Sequence, residues 1–330
     1  MKRLLLLPLI ISLIFASSCL KNRIHEVATT PKEPSVVLFV GLDDAAMNMD
    51  VLCYVAFDAE HNDISFVQIP RDTYFEFGGS QNKINQLYAH YLTQMEAREA
   101  LGRATKEISE AFGVQSAGYV AITTSGLVKA IDALGGIDID VKSDGVFTDE
   151  FGKNPLRLHA GENHLEGASA IQFIRYRQGY LTGDLGRLDA QKLFFRAFLK
   201  KIASRPSLDK ILNAYLQARD EIQTDMNVLD LLRVNGSGIR QLAQASVSYL
   251  TMPGEATTSQ SGLSYYSLNQ KRACEVCSKY LFSRMEAFDQ QRKFLNQNEL
   301  NFSNIYYDKN NAYRVYDNNS VGDITVPKKR

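Results

Sequence analysis

Val36-Val37-Leu38-Phe39-Val40-Gly41-Leu42-Asp43 is an unbroken apolar run closed by a glycine, a leucine and an acid. A strand with one wet face would alternate, so this run reads as a strand buried on both faces. Asp50-Val51-Leu52-Cys53-Tyr54-Val55-Ala56-Phe57 and Ile64-Ser65-Phe66-Val67-Gln68-Ile69 repeat the pattern. The connection Ala59-Glu60-His61-Asn62 is short enough to make the latter two an antiparallel hairpin, and Pro70 stops the third strand. This order gathers Asp43, Asp50 and Arg71-Asp72 at one end of the sheet. Carboxylates beside an arginine suit a hard cation and a phosphate group, because magnesium takes one or two carboxylates and completes its shell with phosphate oxygens and water. Alone, such a pair reads more simply as solvated loop acids.

The later sequence supplies matching cations. Asn163-His164-Leu165-Glu166 has the spacing of a capping box. It predicts a helix carrying Leu165, Ala168, Ile171 and Ile174. Arg175 and Arg177 share a side only in extended chain, so for both to face one ligand that helix must end by Arg175. Thr182-Gly183-Asp184 opens another helix, on which Asp184, Arg187 and Gln191 form one polar stripe against Leu185, Leu188, Phe194, Phe198 and Leu199. A helix start offers free N–H groups to anions, and arginine adds a planar fork matched to phosphate. The plainer reading makes Asp184 an N-cap and Arg187 a surface residue. Residues 84–112, with Tyr88 and Tyr91, read as one amphipathic helix whose apolar side packs the core or lines a groove.

The chain of 330 residues carries 37 Lys+Arg against 37 Asp+Glu, with 45% hydrophobic and 22% charged residues. This composition excludes collagen, coiled coil and wholesale disorder, and nothing basic advertises nucleic acid. Met1-Lys2-Arg3, the apolar run Leu4 to Phe15 and Ala16-Ser17-Ser18-Cys19 have the layout of a secretory signal. The apolar run is short against the ~20 residues that span a bilayer. Its ending resembles a bacterial lipobox, in which Cys19 is lipidated; an uncleaved anchor and plain secretion are the alternatives. Residues 1–18 are thus read as signal peptide and 19–34 as a linker, with the body outside the membrane and tethered to it.

Five short motifs then carry a family resemblance. Ile69-Pro70-Arg71-Asp72-Thr73 with Asn82-Lys83-Ile84-Asn85, and Ala133-Leu134-Gly135-Gly136-Ile137, are similar to the signature of LytR-CpsA-Psr domains. So are Leu165-Glu166-Gly167-Ala168 with Arg175 and Arg177, and Gly183-Asp184-Leu185-Gly186-Arg187. Order and spacing agree across residues 36–205, and more weakly to about 280, giving a catalytic domain at 35–283. The resemblance implies an α/β/α sandwich around a mixed central sheet with an apolar lipid-binding groove. It implies an enzyme at the outer face of the cell membrane, moving a glycopolymer such as teichoic acid or capsule from a polyprenyl diphosphate carrier to peptidoglycan. By position, Asp43 and Asp50 match the magnesium carboxylates. Arg71, Lys83, Arg175, Arg177, Arg187 and Gln191 match the diphosphate contacts. Asp184 matches an acid that orients Arg187 or takes the acceptor proton. Met49 stands where the family often has Ser or Thr, and the loop Asp44 to Met49 is short and lacks an arginine.

The expected catalysis is by position and charge, with Arg71, Arg175, Arg177, Asp184 and Arg187 as its residues. No Ser-His-Asp arrangement is apparent, and His159 and His164 read as surface or capping residues. The alternatives are a pyrophosphatase acting on the same carrier lipid, and a non-catalytic lipoprotein that binds lipid or glycan. Cys274-Glu275-Val276-Cys277 fits buried thiols or a structural disulfide better than metal or redox chemistry. Residues 284–330 are polar and rich in Asn and Tyr, an appendage or a weak sheet edge.

Overall fold

The three apolar runs form the middle of a seven-stranded sheet. The computed structural model describes residues 34–149, 151–177, 180, 184–204, 208–226, 244–259, 262–283, 300–301, 315–318 and 320–323. The expected signal peptide, Cys19 and nearly all of the expected linker lie outside these residues. Among the described residues no helix is long and apolar enough to cross a membrane.

Strands β1 (Ser35–Leu42), β2 (Met49–Asp58) and β3 (Asp63–Ile69) pair antiparallel in sequence order. A small hairpin of β4 (Tyr74–Phe77) and β5 (Ser80–Lys83) leads to helices α1 (Leu87–Leu92) and α2 (Ala97–Ala111). Then β6 (Gly118–Thr123) runs parallel to β1 and feeds α3 (Thr124–Ala133). Next come β7 (Ile137–Val141), β8 (Gly145–Phe147), β9 (Leu156–Leu158) and β10 (Gly161–Leu165). Helices α4 (Gly167–Arg175), α5 (Asp184–Ala203) and α6 (Leu208–Ala218) follow. The chain continues through β11 (Ile222–Thr224), β12 (Ser246–Thr251), β13 (Gly254–Ser259), β14 (Ser264–Leu268) and α7 (Gln270–Leu281). It adds β15 (Leu300–Asn301) and β16 (Val315–Tyr316). The sheet order is β11-β6-β1-β2-β3-β12-β16, with β1–β6 and β3–β12 parallel and the other pairs antiparallel.

Both faces of this mixed sheet are covered, which is why its strands read as continuous apolar runs. Val37 and Phe39 of β1 face a core shared with α3, α4, α5 and α6. Val36, Leu38 and Val40 face the opposite core, with α1, α2 and α7. The result is the three-layered α/β/α arrangement.

Two local expectations need correction. Residues 84–112 are not one helix. Thr93 Oγ1 donates to the His90 carbonyl at 2.7 Å, closing α1, and Glu96 is extended (φ −63°, ψ 150°) before α2 begins. The Tyr91 hydroxyl donates to Glu107 and ties the two short helices together. Asn163 is not a helix cap either. Asn163 to Leu165 belong to β10, paired with β7, and the Asn163 side chain accepts from His159 N at 3.0 Å and donates to its carbonyl at 2.7 Å. The N-cap of α4 is Glu166, and Gly167 starts the helix against α3.

Part of the polar stretch after residue 284 belongs to the sheet. Strand β16 pairs with β12, the Tyr249 hydroxyl donates to Asn318 at 3.2 Å, and Val321 is buried. Cys53 and Cys277 are free thiols, so Cys277 forms no disulfide with Cys274, and burial pushes Cys277 upward, away from the reactive thiolate.

Candidate active site

The backbone at the end of β1 is shaped for close approach. A Cβ on Gly41 would stand 2.9 Å from Val51 Cβ, where the β1–β2 register shifts. Beyond it, the loop winds around Asp43. Asp43 N donates to Asn48 O at 3.0 Å, while its carboxylate accepts Met47 N at 2.8 Å and Asn48 Nδ2 at 2.7 Å. This self-contained turn leaves the neighbouring acid, Asp44, to accept from Arg175 Nη1 at the end of α4. That hydrogen bond holds the Asp44 carboxyl below its ordinary value, helped by the arginine's charge and the Thr124 hydroxyl against a partial burial penalty.

Two further ion pairs stand at the exit of β3. Arg71 Nη1 donates to Asp50 Oδ1 at 2.6 Å, and Lys83 Nζ donates to Asp72 Oδ1 at 2.8 Å. Lys83 ends β5, and its ammonium lies 6.0 Å from the Tyr265 ring centroid. Three cationic groups that could bind an anion are therefore each held by an adjacent carboxylate.

Helix α4 ends at Arg175, because Tyr176 turns extended (φ −61°, ψ 136°). Arg177 follows in that extended segment, its residue exposed. Helix α5 opens at Asp184, whose side chain lies outside the described residues, and carries Arg187 and Gln191 inward, 2% and 3% exposed. Asp50, Arg175, Arg187 and Gln191 line one pocket together with Phe39, Ile122, Leu127, Ile171, Phe194 and Phe195. Its empty space, open solvent at the mouth included, is about 550 Å³. The early acid Asp50 and the late residues Arg175, Arg187 and Gln191 thus share one cavity. Arg71 joins it through Asp50, whereas Lys83, Asp43 and Arg177 stand outside its lining.

A polar pair facing this core from the strand side is absent from the motif reading. Gln68 of β3, 1% exposed, donates to Gln191 Oε1 at 3.1 Å. Asp44 is the other residue that no motif singles out; its only sign in the sequence is the Asp43-Asp44 doublet.

The donor chemistry here fits a magnesium ion. Asp43 and Asp50 offer hard carboxylate oxygens, each with more lone pairs than the hydrogen bonds described. Among the described residues no cluster of three or more His, Cys, Asp or Glu could hold a metal unaided. An ion here would complete its shell with phosphate and water oxygens, which is magnesium's habit.

Comparison with known proteins agrees with this architecture. The LytR_cpsA_psr family model matches residues 16–280. The polyisoprenyl-teichoic acid–peptidoglycan teichoic acid transferase TagV of Bacillus subtilis strain 168 is 26% identical over 219 residues, 63% of this chain and 54% of that protein. The chain thus spans about half the length of this relative. TagU of Bacillus mycoides strain KBAB4, a transferase of the same description, is 24% identical over 263 residues, 78% of this chain and 81% of that protein. The crystal structure of B. subtilis TagV superposes with a TM-score of 0.61 at 22% identity, covering 79% of this chain and 99% of that one.

Proposed function

The chain belongs to the LytR_cpsA_psr family, and from that premise we propose that it transfers a glycopolymer from a polyprenyl diphosphate carrier to peptidoglycan. Its relatives named above carry teichoic acid transfer in their names, so a teichoic-acid-type polymer is the first donor to test. The observation that carries the reading is the pocket itself, whose lining brings Asp50, Arg175, Arg187 and Gln191 together with aromatic and aliphatic side chains. An amphiphile with a doubly charged head and an isoprenoid tail is the ligand class that satisfies both halves.

In the proposed reaction an acceptor hydroxyl attacks the phosphorus nearer the glycan. A new O–P bond forms, the P–O bond to the bridging oxygen breaks, polyprenyl phosphate leaves, and the hydroxyl proton is lost. Such transfer needs positioning and charge stabilisation more than covalent help. Arg175 and Arg187 present planar forks to phosphate oxygens. Entry of the diphosphate exchanges Asp44 and Asp50 for phosphate on Arg175 and Arg71, so the arginines are prepositioned before substrate arrives. Asp184, three positions ahead of Arg187 in the sequence, is the candidate to orient that arginine or accept the acceptor proton. A magnesium ion held by Asp50 and Asp43 would supply further neutralisation of the diphosphate. The N-terminal signal and Cys19 are proposed to anchor the enzyme at the outer membrane face, where its carrier lipid lies.

The test incubates the full chain with a labelled polyprenyl-diphosphate glycan and peptidoglycan fragments. Glycan on peptidoglycan supports the transferase. Release of free glycan phosphate would favour a pyrophosphatase, and retention of unchanged donor would favour a binding lipoprotein.

A further inference from the structure

We propose that Gln68 is a positioning residue that fixes which way the side-chain amide of Gln191 faces. The inference rests on the reading of the pocket as a diphosphate site and deepens it. Gln68 lies between the apolar Val67 and Ile69 near the end of β3, and a polar side chain 1% exposed there must have its hydrogen bonds satisfied.

It has them. Gln68 Nε2 donates to the Leu188 carbonyl at 3.1 Å and to Gln191 Oε1 at 3.1 Å. Its Oε1 accepts from the Thr251 hydroxyl at 3.3 Å, across the parallel register in which Thr251 pairs with Gln68. The orientation follows from chemistry alone. A backbone carbonyl can only accept, so the NH₂ of Gln68 must face α5. One of its two N–H groups serves Leu188 and the other meets Gln191, whose atom there must therefore be the oxygen.

The consequence falls on the pocket. Gln191 lines it beside Arg187 and Asp50, and with its oxygen committed to Gln68 its two N–H groups are left for the cavity. An anion needs donors, so this is the binding orientation. With the amide reversed, two NH₂ groups would meet in the core and a carbonyl oxygen would face the phosphate. Thr251, Gln68 and Gln191 form a relay from β12 through β3 to α5, and donors in such a chain polarise one another.

The experiment titrates geranyl diphosphate into the full chain in detergent with magnesium, by calorimetry. It uses Gln68→Met, Gln68→Glu, Gln191→Met and the double variant Gln68→Met with Gln191→Met. Gln68→Met should weaken binding about tenfold, the scale of one hydrogen bond to a charged group. Gln68→Glu keeps the shape but can only accept, so it draws the Gln191 N–H groups inward and should weaken binding further. Because Gln68 acts through Gln191, Gln68→Met should add nothing in the Gln191→Met background. Additive losses, or wild-type affinity in both Gln68 variants, would overturn the proposal while leaving the pocket's assignment standing. If Gln68→Met does not fold, the isosteric Gln68→Glu carries the comparison. Failure of the wild-type chain to bind geranyl diphosphate would instead remove the diphosphate reading and this inference with it.

Discussion

Arg71 donates from Nη1 to Asp50 Oδ1 over 2.6 Å, joining the exit of β3 to the entrance of β2. Both side chains are largely shielded, at 15% and 18% exposed. Removing either leaves the other charge poorly solvated. Arg71→Ala should lower transfer by roughly 10²–10³-fold, the scale seen on deleting one transition-state donor. Asp50→Asn should also impair transfer, through the proposed metal rather than the phosphate. Steady-state transfer kinetics with thermal melts of each variant provide the check, and wild-type rates in a folded Arg71→Ala would sink the assignment.

Burial separates the later arginines. Arg187 is 2% exposed in the pocket wall, whereas Arg177 is an exposed residue beyond α4. A fork in a water-excluded site acts at lower dielectric than one in solvent. Arg187→Ala should therefore reduce transfer more than Arg177→Ala, and Arg187→Lys should rescue only part of it because the ammonium lacks the planar fork. Equal losses in the two alanine variants, measured side by side, would contradict this ordering.

The Asp44–Arg175 pair predicts a pH dependence of stability. Arg175 holds the Asp44 carboxyl below its ordinary value. A depressed carboxyl contributes stability that is present above its unfolded-state pKa, about 3.9, and lost as pH falls through the lower folded value. Asp44 is 62% exposed, so solvent screening limits the contribution to roughly 0–1 kcal/mol. Asp44→Asn should therefore lower the melting temperature slightly at pH 7, and the difference from wild type should vanish in strong acid. A gap that widened on acidification would refute the pairing.

Gly167 has no room for a side chain. A Cβ there would meet the Val128 carbonyl oxygen at 2.4 Å, and backbone cannot swing aside. Gly167→Ala must push α4 off α3, with an overpacking penalty of typically 1–3 kcal/mol. Because α4 ends at Arg175, transfer should fall along with stability. Urea denaturation compared with activity tests this, and an unperturbed variant would show that the contact yields freely.

Chelation addresses the metal. If magnesium completes its shell on Asp43, Asp50 and phosphate, EDTA should abolish transfer and added magnesium restore it. Geranyl diphosphate affinity should drop in parallel. Full activity in chelator would remove the ion from the mechanism.

The central strands were legible because both faces of the sheet are covered, so Val36 to Val40 and the runs that follow had no wet side to mark with polar residues. The meeting of Asp50 and Arg71 at one end of the sheet followed from strand order alone, while Asp43 turns into its own loop. What escaped depends on contacts distant in sequence. Asn163 to Glu166 carries cap spacing, but pairing of β10 with β7 overrides it. Asp44 gains its role only by meeting Arg175, and Gln68 by meeting Gln191. A polar residue at a strand end gives no sign in the sequence of which element will face it.

Strand β16 has a consequence for anyone handling shortened forms of the protein. It seals β12 at Tyr249 and Leu250, with Lys192 Nζ 5.4 Å from the Tyr316 ring centroid. A truncation before Val315 bares the outer backbone groups of β12 at Tyr249 and Leu250, and an uncovered strand edge is a template on which neighbouring molecules pair. Recombinant versions trimmed to the recognisable catalytic region should therefore clump during purification, and the remedy is to keep the stretch through Val321.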